Sequence, residues 1–138
     1  MTDTHLLTLR SGTLTAVLAI VDGEHILETR EEPTRGQFGG GARIPLAPGN
    51  AFREGSSRSL IFAGECSGGT VDVAGREGGD AVEMDIAVGL GWWIGIVNVQ
   101  RHWRKRRDWW ELTVVYLDGR GNEQGSENVK IPPLALLP

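Results

Sequence analysis

From Leu7 to Ile131 the apolar residues of this chain come in short runs broken by glycine-rich turns, and no stretch repeats them at helical spacing with a cap at each end. A chain punctuated in this way has to bury its apolar side chains on strands that return through tight turns. Its 20 glycines among 138 residues stand well above the usual share of about 7% and mark those turns. The expected fold is all-β: a single-domain antiparallel β-sandwich of eight or nine strands spanning residues 1–138, with a partly open barrel as the alternative.

The elements can be placed along the chain. Thr13 to Arg30 reads as a hairpin around Asp22-Gly23, a dipeptide suited to a type I′ turn. Glu31 to Ser57 reads as irregular, with Pro33, Pro45, Pro48 and the triplet Gly39-Gly40-Gly41, and only Arg43 to Leu46 extended. The triplet lacks the strand-to-helix setting and following lysine of a phosphate loop. Ser59 to Glu65 is an apolar strand. Val71 and Val73, then Val82, Met84, Ile86 and Val88 after a turn at Gly75 to Asp80, alternate as a half-buried hairpin with Asp72, Glu83 and Asp85 on a solvated face. A turn at Asp118 to Asn122 leads into Asn128 to Ile131, where Pro132-Pro133 stops the pairing ahead of an apolar tail, Leu134 to Pro138.

All five tryptophans (Trp92, Trp93, Trp103, Trp109, Trp110) fall within one stretch of this chain. Residues 101–107 also hold five of the fourteen Lys and Arg and no acid, so a +5 segment sits on a body of about −9. Folding the stretch as a long hairpin with Arg104 to Arg107 as its turn pairs Val97 with Val114, Val99 with Leu112 and Gly95 with Tyr116, with Tyr116 covering the glycine gap. Arg101 then lies across from Trp110 and His102 from Trp109, in reach of cation–π contact. The candidate site is the resulting tip: Arg101, His102, Trp103, Arg104, Lys105, Arg106, Arg107, Trp109 and Trp110. The competing structural account makes Trp93 and Trp110 core residues and the arginine run a solvated turn.

Chemistry-bearing residues are sparse elsewhere. His5, His25 and His102 are far apart and have no partner at metal-ligand spacing, so no metal and no cofactor is expected. Cys66 is the single cysteine, which excludes an intramolecular disulfide; it has no His or acid placed to activate it, so the chain is read as a non-enzyme. With no basic leader and no apolar run of membrane-spanning length, the expectation is a cytoplasmic protein, or one exported without a cleaved signal, that has no transmembrane span.

Two resemblances bear on function. Pro48-Gly49, Phe52, Gly64, Gly68-Gly69-Thr70-Val71-Asp72-Val73, Gly79-Asp80 and the strand running into Gly91-Trp92-Trp93 resemble the middle of small β-sandwich cytolysins of the aegerolysin and actinoporin kind. That likeness implies a membrane-binding protein that oligomerises or works with a partner. Val97-Asn98, Thr113 to Gly121 and Ile131-Pro132 are similar to the closing strands of immunoglobulin-like modules, which implies a protein-interaction role. The expected function is non-catalytic docking on an anionic membrane or glycolipid surface through the Trp/Arg tip. The alternative is an interaction or homo-oligomeric assembly module. Single-stranded nucleic acid is disfavoured because a nucleic-acid-binding domain is usually basic as a whole.

Overall fold

Two residues in the left-handed region start the first sheet: Asp22 and Gly23, with φ of 53° and 82°, form the tight turn their sequence predicts. In the computed structural model, which describes residues 4–32, 40–46, 52–55 and 59–133, that turn joins β2 (Leu14–Val21) to β3 (Glu24–Glu31). β1 (Thr4–Ser11) and β4 (Gly40–Leu46) flank the pair, giving an antiparallel sheet in the order β1-β2-β3-β4. A second sheet contains β5 (Phe52–Gly55), β6 (Ser59–Glu65), β9 (Asp85–Gly89) and β10 (Trp92–Asn98), in the order β5-β6-β10-β9. The third is built from β7 (Asp72–Glu77), β8 (Asp80–Val82), β11 (Trp110–Leu117) and β12 (Glu123–Ile131), in the order β12-β11-β7-β8.

The all-β, antiparallel expectation holds, with three four-stranded sheets among the described residues and more strands than the eight or nine expected. The surplus comes from two places. The extended reading of Arg43 to Leu46 holds and reaches back to Gly40 as β4, while β5 lies in the region read as irregular, where the surrounding proline and glycine mask strand pairing. The stretch 80–89 splits at Glu83-Met84, so β8 pairs with β7 while β9 crosses to β10. The expected hairpin of 70–88 therefore serves two sheets, and Asp72, Glu83 and Asp85, all exposed, do not share one face.

The second sheet lies between the other two cores and supplies both. Trp92, Ile94 and Ile96 of β10 pack with Ala16, Leu18, Leu27 and Leu46 of the first sheet, whereas Trp93 and Val97 pack with Leu112, Val114, Tyr116 and Ile131 of the third. β6 divides likewise, with Ile61 and Ala63 toward the first sheet and Leu60 and Phe62 toward the third. A strand covered on both faces must be apolar at every position, and that is why Trp92 to Val97 reads as an unbroken apolar run. His25 of β3 stacks on Trp92 at 4.4 Å between ring centroids, tying the first sheet to the second.

This layering overturns the expected hairpin between Trp92 and Trp110. β10 pairs with β6 and β9, and β11 with β12 and β7, so Val97 and Val114 belong to one core without being strand neighbours. Opposed apolar residues fit a face-to-face contact between sheets as well as an edge-to-edge one, so their register in the sequence does not distinguish the two. The space at Gly95 is filled by Met84, whose sulfur would lie 2.8 Å from an added Cβ. Tyr116 instead meets the edge of Trp93 at 6.2 Å.

Candidate functional site

The chain leaves the second sheet at Asn98, turns through a 3-10 helix at Arg101–Lys105, and enters the third sheet at Trp110. No side chain caps this short helix; Trp103 and Arg106 continue it through backbone N–H groups donating to Gln100 and Trp103 carbonyls. Such a single turn is marginal alone and is fixed by side-chain anchors.

The principal anchor is Glu77, at the end of β7. Its carboxylate accepts from the Trp103 indole N–H, lies 2.8 Å from His102 Nε2 and accepts from Arg106 Nη2 at 2.9 Å. Partial burial pushes the Glu77 carboxyl up, but the hydrogen bonds from His102 and Trp103 and the neighbouring His102 and Arg106 charges outweigh it and hold the carboxyl below its ordinary range. Trp103 is fully buried, 4.8 Å from Trp110 between centroids, and the Arg106 guanidinium lies 4.8 Å over the Trp110 ring. The cation–π contact thus involves Arg106, not Arg101, and the ring nearest His102 is Trp103, not Trp109.

The nine candidate residues separate into two groups. Trp103 and Trp110 are core residues, and His102 and Arg106 are bound to Glu77. Arg101, Arg104, Lys105 and Arg107 are exposed. Trp109 is 63% exposed, the only tryptophan in the chain so placed; the other four are buried. Sequence reasoning missed Glu77, since an acid beside a Gly-Gly turn carries no local sign that it faces a basic segment 25 residues away. It also missed Lys130, which lies opposite Glu111 on β12 and joins Trp109, Trp110 and Glu111 around a shallow depression of about 400 Å³.

The remaining chemistry is modest. Burial and the Glu65 charge raise the Cys66 thiol despite a hydrogen bond from Thr70, which disfavours the reactive thiolate. Among the described residues no three His, Cys, Asp or Glu side chains are placed to hold a metal ion, and no helix is long and apolar enough to cross a membrane. What the exposed group can do is present an indole face and several cations to an anionic surface. No protein-family model, no curated protein and no solved structure matches this chain.

Proposed function

We propose that this is a non-catalytic binding protein that docks on an anionic membrane or glycolipid surface through Trp109 and the cations around it. One observation carries the reading: Trp109 presents 63% of its surface to solvent on a segment whose exposed neighbours include Lys105 and Arg107. Indole rings favour the headgroup level of a bilayer. Each Lys or Arg held near an anionic leaflet contributes roughly 1 kcal/mol. Arg101, Lys105, Arg107 and Lys130 together supply a millimolar-scale attraction of about 4 kcal/mol, and the indole adds to it. The binding is therefore reversible and salt-sensitive.

Co-sedimentation tests this with phosphatidylcholine vesicles, with and without phosphatidylserine. The expected result is binding to the anionic vesicles alone, lost at high salt and weakened severalfold by Lys105→Glu or Arg107→Glu. Failure to bind either vesicle at low salt sinks the reading.

A second reading, a homo-oligomeric assembly module, is favoured by β12, which is nine residues long and, among the described residues, hydrogen-bonded to a neighbour on one side only. An unpaired strand edge can accept another chain. The expected apolar contribution of the 134–138 tail lies outside the described residues. Light scattering showing a stable oligomer in solution favours this reading; a monomer at all concentrations removes it.

A further inference from the structure

The outer face of the third sheet continues from Trp109 in a definite order. Directly opposed residues of an antiparallel pair share a face, and alternate residues along a strand return to it. Glu111 is opposite Lys130, and two residues further along β11 Thr113 is opposite both Asn128 on β12 and Arg76 on β7. Glu111, Lys130, Asn128 and Arg76 are exposed. Thr113 donates its hydroxyl to Asn128 Oδ1 at 2.9 Å, which leaves the Asn128 amide NH₂ to donate outward. Trp110, Leu112 and Val114, the alternate set, point into the core. At one end, Trp109, Trp110, Glu111 and Lys130 surround the 400 Å³ depression.

This arrangement has a chemical signature. An exposed indole gives an apolar platform, and acceptors (Glu111) and donors (Lys130, Asn128, Arg76) lie next to it at sheet spacing, about 7 Å along a strand and about 4.8 Å between strands. A flat aromatic or alkyl ligand has no use for that mixed polar perimeter. A quaternary ammonium ion would gain from the indole and Glu111 but would be repelled by Lys130. A sugar ring matches it, with one face of C–H groups for the indole and a rim of hydroxyls for carboxylate, amide and ammonium. Lys130 and Arg76 add a preference for a ring bearing a carboxylate.

We infer that this face reads the acidic sugar of a glycolipid headgroup, with Trp109 stacking on the ring, Glu111 and Asn128 hydrogen-bonding its hydroxyls, and Lys130 and Arg76 holding its carboxylate. The inference rests on the membrane-docking reading and names the headgroup that the same site selects.

The test uses phosphatidylcholine vesicles carrying either a ganglioside with one sialic acid or phosphatidylserine at equal surface charge. The expected result is at least tenfold tighter binding to the ganglioside vesicles, competed by soluble sialyllactose. Asn128→Ala, a neutral change on β12 outside the 101–107 segment, should remove most of that tenfold advantage and leave phosphatidylserine binding unchanged. Circular dichroism confirms that the variant is folded; Trp109→Ala is the second variant and should abolish the preference. Equal binding to the two anionic vesicles, or an advantage untouched by both substitutions, overturns the sugar assignment and leaves membrane docking standing. Binding to neither overturns both.

Discussion

Leu90 occupies a backbone conformation that suits few side chains. Its φ is 56°, followed by Gly91 at 79°, so the β9–β10 turn has the positive-φ pair that Asp22-Gly23 supplies elsewhere with a better-suited first residue. An L-residue other than Gly, Asn or Asp costs roughly 1–2 kcal/mol in this region, and Leu90 is 76% exposed, so its side chain recovers little by packing. Leu90→Asn should stabilise the protein by about 1 kcal/mol, raising Tm by a few degrees. Thermal unfolding followed by circular dichroism checks this. The turn lies at the opposite end of β10 from the 101–107 segment, so the substitution should leave vesicle binding intact; loss of binding would relocate the docking surface.

Glu77 is the residue on which the crossing segment depends. Removing its carboxylate leaves the Trp103 indole N–H buried without its acceptor and frees Arg106, and hydrogen bonds to charged groups contribute about 1.5–3 kcal/mol. Glu77→Ala should therefore cost about 3 kcal/mol in urea unfolding at pH 7. The pH dependence has a fixed sign. The folded carboxyl lies below its unfolded value, so its contribution is complete above the unfolded value of about 4.3 and is lost as pH falls through the folded one. The stability gap between the wild-type protein and Glu77→Gln should close as pH falls below about 4. A gap that persists or widens below about pH 4 would contradict the anchoring role.

At the scale of elements, the segment between β10 and β11 combines a buried half and an exposed half, and substitution should separate them. Trp103→Ala should cost about 3–5 kcal/mol, the usual loss for a large aromatic in a core, whereas Trp109→Ala should change urea stability by less than about 0.5 kcal/mol and act on binding. Much of this element pattern was legible in the sequence. The Asp22-Gly23 turn, the Ser59–Glu65 strand, the Asp118 turn, where one carboxylate oxygen accepts from the Arg120 and Asn122 backbone N–H groups, and the stop before Pro132 all follow local rules of backbone geometry. Which sheet each strand joins does not. Val82 and Ile86 have the same alternation, yet they belong to different sheets, because alternation records that a face is buried and not what buries it. The basic-aromatic tract was visible as composition. Its division into buried Trp103 and exposed Trp109 depended on Glu77, which approaches from a different strand.

At the scale of the whole molecule, two cores meet at one sheet, and Trp92 and Trp93, adjacent in the chain, belong to different cores. Neither core can lose β6 and β10 without the other losing its partner face. Ile94→Ala weakens the core shared with the first sheet and Leu112→Ala the one shared with the third; each should cost about 2–5 kcal/mol. In both variants tryptophan fluorescence and far-UV circular dichroism should report one coincident transition. Two separated transitions would mean that the cores melt independently.

The same sheet limits how a gene for this protein can change. Because side chains alternate between faces, gaining or losing one codon within β6 or β10 would exchange the occupants of the two cores, sending Trp92 where Trp93 belongs and corrupting both at once. An outer strand suffering the same slip would damage only one. Lineages carrying this fold should therefore accumulate length changes at the ends of the middle strands and in the outer sheets, while β6 and β10 keep their length even as individual side chains drift.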